Sequence, residues 1–234
     1  VTTQVNDKNK LSAEYNFNYQ NRFFRRPTSD LVEEKASWRQ IEPAWITQFQ
    51  WTSVVSPKLF LDARYGFLHL IFPLHYQPSV GASDFARQDI VRLTLRDAAT
   101  YDFENLATRH QVNASASYFV DDWAGSHLFK AGYEFGRAFN QRQFAANGNY
   151  VLRYFDGSPF EVQTYNTPVT SKNYIDTMAF YVQDAWAPTR RLTINYGLRY
   201  DLEVHPTFKG RSFGHDRNNV GPRFGFAYDL TGKG

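Results

Sequence analysis

The side chains that could do chemistry give little to build on. Six histidines, His69, His75, His110, His127, His205 and His215, show no metal-ligand spacing. His205 and His215 share one loop and could meet a metal, but two solvated loop histidines are the plainer reading. Cysteine is absent, which removes thiol catalysis and disulfides. No G-x-S-x-G, H-E-x-x-H, P-loop or G-x-G-x-x-G occurs. The expectation is therefore a protein that is not an enzyme, with no catalytic residue, no metal, no cofactor and ligand-binding residues unknown. Phe23-Phe24-Arg25-Arg26 could grip an anionic ligand, against the plainer reading of a solvated loop with a buried aromatic anchor. Trp38, Trp45, Trp51, Trp123 and Trp186 could stack on sugars, but strand-end tryptophans more often sit at a membrane interface. Asn113-Ala114-Ser115 matches a glycosylation sequon but lies in a strand, and is discounted.

The elements that must position these residues are more informative. From Arg191 to Asp201 the chain alternates without a fault: Leu192, Ile194, Tyr196, Leu198 and Tyr200 on one face, Thr193, Asn195, Gly197, Arg199 and Asp201 on the other. Period two means a strand with one apolar and one polar face. Its length, about ten residues, is what a tilted strand needs to cross a bilayer. Among 234 residues, 18% are aromatic and 42% hydrophobic, yet mean hydropathy is −0.54. No run of about 18 apolar residues exists to form a membrane helix, and alternation hides a barrel's lipid face from any hydropathy window. The net charge of +3 is too small to argue for nucleic acid.

In order, Val1 to Val5 reads as the tail of a strand, and Leu11 to Tyr19 as a second with Leu11, Ala13, Tyr15, Phe17 and Tyr19 apolar. A long loop is expected from about Asn21 to Gln40. Strands follow through Trp45, Thr47, Phe49 and Trp51, then Leu59 to Phe67. The pattern breaks from Pro73 to about Thr108, read as a second long loop. Val112 to Tyr118 and Phe129 to Phe135 come next, then a third excursion from about Asn140 to Lys172. That excursion carries its own hairpin, Tyr150 to Phe155 and Phe160 to Tyr165, around Asp156-Gly157, a pair suited to a type I′ turn. Tyr174 to Trp186 is a strand with Met178, Phe180 and Val182 expected outward. A fourth loop spans about Glu203 to Asn218, and Pro222 to Tyr228 closes the series.

Turns alternate short and long: short at Asn6, Pro57, Asp122, Pro188 and Thr231, long after Tyr19, Leu70, Phe139 and Leu202. Bacterial outer-membrane barrels show this asymmetry, with tight periplasmic turns and long outer loops. Glu14, Asp62, Arg64, Lys130, Glu134, Arg199, Asp201, Arg223 and Asp229 share the polar face, where they can meet a wet lumen and pair across strands. A soluble β-sandwich also alternates, but its strands are shorter and follow no long–short rule. The fold class is therefore all-β: an antiparallel transmembrane barrel of outer-membrane type, here a curved segment of about nine strands. Val1 falls inside alternating sequence and Gly234 inside a turn, so the first and last strands are expected to stay unpaired with each other.

Phe180-Tyr181-Val182-Gln183-Asp184-Ala185-Trp186, the run Pro188 to Asp201, and Asn218 to Asp229 resemble the barrel signature of TonB-dependent outer-membrane receptors, particularly Oar-like ones. Asn6 to Leu11 and His127 to Glu134 fit the same signature. The resemblance implies a larger barrel of about 22 strands around an N-terminal plug. On it, residues 1–234 form a single segment of the barrel domain, in the outer membrane of a Gram-negative-type bacterium. It also implies energised uptake of a scarce ligand, with outer-membrane lipid and an inner-membrane TonB complex as partners, the latter acting through the plug. The plug and TonB box are not among these residues, and no ligand residue carries over. The rivals are a structural or adhesive barrel protein and a passive porin.

Overall fold

The computed structural model describes residues 1–25, 31–204, 207–208, 211–212 and 216–231. The strands in chain order are β1 Thr2–Gln4, β2 Asn9–Arg22, β3 Trp38–Ser56, β4 Leu59–Tyr76, β5 Arg87–Asp89, β6 Leu95–Arg96, β7 Asp102–Val120 and β8 Ser126–Ala145. There follow β9 Tyr150–Phe155, β10 Ser158–Thr164, β11 Val169–Thr189, β12 Leu192–Val204, β13 Thr207–Phe208, β14 Arg211–Ser212 and β15 Asp216–Tyr228. Nine of them form one antiparallel sheet in the order β1-β2-β3-β4-β7-β8-β11-β12-β15. The curved sheet does not close: among the described residues β1 pairs only with β2 and β15 only with β12.

Register carries the two-face pattern across the middle of the wall, and shifts only towards strand ends, after Trp186, Asp201 and Val54. Val182 lies opposite Ala131 and Leu198, and Phe180 opposite Tyr133 and Tyr200. Met178, Phe180 and Val182 therefore share the apolar face, as their parity indicates. On the other face, Gln183 lies opposite Lys130 and Gly197. The outward side chains are large and bare, Phe224 at 76% and Phe226 at 70% exposure, as befits surface meant for lipid rather than water. One lumen-facing glycine is required by close packing: a Cβ on Gly132 would lie 2.4 Å from the Tyr181 ring that covers it.

The strands are longer than alternation alone indicates. β11 runs for 21 residues, about twice the length that crosses a bilayer at a steep tilt. β4 continues through Pro73 to Tyr76, and β7 begins at Asp102. The second long loop is thus residues 77–101 rather than Pro73 to Thr108. Likewise the first lies between the ends of β2 and β3, at Arg22 and Trp38, and the third between Ala145 and Val169. The cause is visible in β4. Above the membrane level the lumen-parity residues Leu68, Leu70, Phe72 and Leu74 are apolar too, and the loops pack on Phe72 and Leu74. Alternation vanishes while the strand goes on. The Asp156-Gly157 hairpin is as expected: both residues have positive φ, 45° and 85°, and Phe155 faces Ser158 across the turn.

These faces make a direct prediction. Ile194→Arg places a charge among lipid tails and is expected to cost about 2–4 kcal/mol near the midplane, whereas Asn195→Arg on the wet face is tolerated. Reversible unfolding of the full-length protein in lipid vesicles ranks the two; the opposite order would invert the face assignment.

Candidate functional site

The lumen wall is a charge ladder held in place by small neighbours. Glu134 on β8 and Asp201 on β12 both lie opposite Ala179 of β11. That small residue leaves room for Arg199 to reach across β11. Its Nη2 donates to Glu134 Oε2 at 2.7 Å and its Nε to Asp201 Oδ1 at 2.9 Å. Lower down, Asp62 accepts from Arg64 Nε at 2.8 Å and from Gln50 Nε2 at 2.7 Å. The expected pairing of polar-face charges across strands is realised here. A depression of about 250 Å³ on this face is lined by Arg109, Gln111, Glu134, Thr177, Arg199 and Asp201, among others.

On the lipid face β8 and β11 are joined by two ion pairs that no motif announced. His127 Nδ1 lies 2.6 Å from Asp184 Oδ2, which also accepts from the Tyr196 hydroxyl at 2.8 Å, while His127 Nε2 donates to the Trp123 carbonyl at 2.9 Å. The imidazole stacks between Phe129 and Trp186, and Trp186 Nε1 donates to the Ala124 carbonyl at 2.8 Å. Thus the Asp121–Gly125 turn is locked to β11 with Trp123 and Trp186 at the rim. At the other end of the same face, Arg137 grips Asp176 in a two-pronged contact at 2.7 and 2.6 Å. Ten residues of β8 separate His127 from Arg137. That is about 33 Å of strand and, at a tilt near 45°, about 23 Å of depth, close to the apolar band of such barrels. Parity could have found these pairs: Asp184 and Asp176 are carboxylates on an otherwise apolar face.

Above the band, the three loops between β2 and β11 do not stand apart; they form a cap with its own core. β10-β9-β5-β6 make a four-stranded sheet in which β5 of the second loop runs parallel to β9 of the third. Leu95, Val151, Ala36, Ala86 and Ala98 are buried together, and Trp38, Leu74 and Ala99 form a second cluster with Phe72, Tyr101 and Phe103. Since Phe72, Leu74 and Phe103 have lumen parity, the cap folds over the inner side of the wall. The first loop is stitched to the second by Leu95 N–H to the Leu31 carbonyl at 2.7 Å and Arg96 Nη1 to Glu33 at 2.8 Å. Asn147 Nδ2 of the third donates to the Gly81 and Asp84 carbonyls of the second.

Arg25 donates to Gln40 at 2.9 Å and lies over the Phe72 ring, so it is committed to the cap. Phe23 and Phe24 are exposed rather than buried, and Arg26 lies outside the described residues. Trp38 is a cap-core residue that donates to the Tyr101 carbonyl. Trp45 stacks on His69 at 4.0 Å, and Trp51, Trp123 and Trp186 sit towards the short turns. Asn113 is in β7. His75 contacts Asp102 and Glu104, His110 meets the Tyr65 hydroxyl, and His205 and His215 lie outside the described residues. Among the described residues no group of His, Asp and Glu has a metal-binding arrangement.

Comparison with known proteins agrees with this geometry. The family model described as "outer membrane beta barrel domain" matches residues 1–215. The chain belongs to that family. Its place is the outer membrane of a Gram-negative-type bacterium. It is 30% identical to the TonB-dependent transporter Oar of Myxococcus xanthus over 41% of this chain and 11% of that protein. Among solved structures, the outer membrane transporter YddB from Escherichia coli superposes with a TM-score of 0.67 at 15% identity, covering 99% of this chain and 29% of that one. The alcaligin receptor FauA from Bordetella pertussis gives 0.65 at 14%, covering 98% and 32%. FpvA of P. aeruginosa, solved with pyoverdines, gives 0.63 at 11%, covering 98% and 32%. The chain thus spans about a tenth of Oar and about a third of these transporters.

The cap's carboxylates set its pH response. The Asp97 backbone N–H and the Arg96 guanidinium hold Glu33 below its ordinary value, and the Lys35 ammonium and Gly81 N–H do the same for Asp84. For Asp89, burial pushes upward, but the N–H groups of Arg92, Gly157 and Val91 outweigh it and the shift is downward. Carboxyls lowered on folding contribute stability above their unfolded values that is lost as pH falls through the folded ones. The cap of the full-length protein is therefore expected to loosen below about pH 4 while the barrel holds. Amide exchange at Leu95, Leu152 and Gly157 should accelerate there ahead of the barrel strands; acid exchange that rises equally in both would contradict this.

Proposed function

We propose that residues 1–234 are one segment of the barrel of a TonB-dependent transporter, which captures a scarce ligand at its outer loops and admits it when a plug moves. The observation that carries this reading is a change of character down the lumen face. Midway the face is charged and wet, at Arg199, Glu134, Asp201, Asp62 and Arg64. Towards the short turns it shows Val54, Phe60, Phe119 and Leu128, each at least 38% exposed. Parity puts all four inward, through Val54 opposite Phe60 and Phe119 opposite Leu128. An open porin would leave this apolar patch, which runs across β3, β4, β7 and β8, in water; a domain seated in the periplasmic end of the lumen covers it. The kinship with Oar and the receptor-like fold support the same assignment, and with it a TonB complex as partner.

The test uses the full-length protein in planar bilayers. It is expected to conduct little until urea unfolds the plug, and to bind the TonB C-terminal domain saturably. Phe60→Asp with Phe119→Asp should lower the urea concentration at which the channel opens. Steady conductance without urea would favour the porin reading, and absence of TonB binding the adhesive one.

A further inference from the structure

The cap ends in a surface that the transport reading does not use. The β5–β6 turn and the β9–β10 turn meet at Asp89, a carboxylate only 5% exposed. Its Oδ1 accepts from the N–H groups of Val91 and Arg92 at 3.0 and 2.8 Å, and its Oδ2 from that of Gly157 at 2.6 Å. Arg92 then crosses to Asp156, with Nε 2.9 Å from Oδ1 and Nη2 3.0 Å from the carbonyl. Two turns from different loops are thereby fixed as one tip. The two turns and the strand ends beside them carry Val91, Leu93, Phe155 and Phe160, at 48–69% exposure, with the two phenylalanine rings 5.9 Å apart.

Leu93 gives the tip its significance. Its φ is 58°, a conformation in which a side chain costs backbone strain and a glycine costs none. At 69% exposure the leucine gains little packing in return within this chain. A strained, bare aliphatic side chain on a pinned turn is arranged for contact. The charges indicate with what. Arg153 is paired with Glu161 and Arg87 with Asp97, so the tip is close to electroneutral and offers nothing to a polyanion. The central Arg92–Asp156 pair is a side-by-side dipole. Rotated by a two-fold axis it sets Arg92 against the Asp156 of an identical tip, with apolar side chains meeting around it.

We propose that the cap tip is a homotypic docking surface, through which copies of this protein on facing membranes touch tip to tip. The contact is small and electroneutral, hence weak singly and effective when many copies act together.

Full-length protein in phosphatidylcholine vesicles tests this by light scattering. Wild-type vesicles are expected to cluster, more steeply than linearly with protein density. Leu93→Gly removes the side chain while relieving the backbone, so misfolding cannot explain its effect; it should slow clustering about tenfold. Vesicles carrying Arg92→Asp, or Asp156→Arg, should stay dispersed alone, because identical tips then repel. Mixed together they should cluster again, the acidic central pair of one tip meeting the basic central pair of the other. The intrachain pair is broken in both variants, so recovery on mixing can come only from contact between copies. Dispersed wild-type vesicles, clustering indifferent to Leu93→Gly, or no recovery on mixing would each overturn the proposal. The tip would then be covered by other parts of the same protein or meet a different partner.

Discussion

The constraint on which the rest depends is that hydrocarbon offers the backbone no hydrogen bonds. Each unpaired N–H or C=O there costs several kcal/mol, so a spanning strand must be paired on both edges. Consecutive antiparallel strands meet that demand along the whole chain, from β2 through β12. Once pairing is unbroken, pleating assigns every second residue to lipid. Apolar and charged side chains are then sorted by parity alone, which is why Val182 faces Leu198 while Gln183 faces Gly197. The lipid-face ion pairs His127–Asp184 and Arg137–Asp176 obey the same logic: charges are tolerated outward only near the edges of the band, where they are paired.

Above the band the solvent changes and so does the rule. Water can satisfy the backbone, so the strands no longer need neighbours for that reason, yet β3, β4, β7, β8 and β11 continue. β3, β4, β7 and β8 continue because the cap gives their inward faces something to bury, at Trp38, Leu74, Phe103 and Phe144; the upper part of β11, Val169 to Tyr174, stays exposed and continues as the partner of β8. Leu74, Phe72 and Phe103 replace the glycines and asparagines found lower on the same faces. The wall thus becomes a support for a second, smaller sheet. Loops interlocked through Leu95, Asn147 and Asp89 present one fixed surface rather than three separate lids.

Much of the wall was legible in the sequence because period two needs only neighbouring residues to declare itself. The run from Leu192 to Tyr200, the Asp156-Gly157 turn and the long–short rhythm of connections are local signals of that kind. The strand ends at Tyr76 and Asp102 were not legible. There both faces of β4 are apolar, and Pro73 reads as a breaker although the strand absorbs it. The cap was invisible for a further reason: its sheet joins Gln88 to Arg153 and its bridge joins Val32 to Leu95, pairings with no local trace. The His127–Asp184 latch lies between. Parity marks Asp184 as anomalous, but only the register of β8 against β11 shows which residue answers it.

The central claim is that one continuous antiparallel wall separates lipid from lumen with a period of two. Its most direct test is a single-cysteine scan from Thr193 to Asp201 in the full-length protein, each position carrying a fluorophore in vesicles of brominated lipid. Strong quenching is predicted at Ile194, Tyr196, Leu198 and Tyr200, and weak quenching at Thr193, Asn195, Gly197, Arg199 and Asp201. Quenching without a two-residue period, or strongest at the odd-numbered positions, would contradict it.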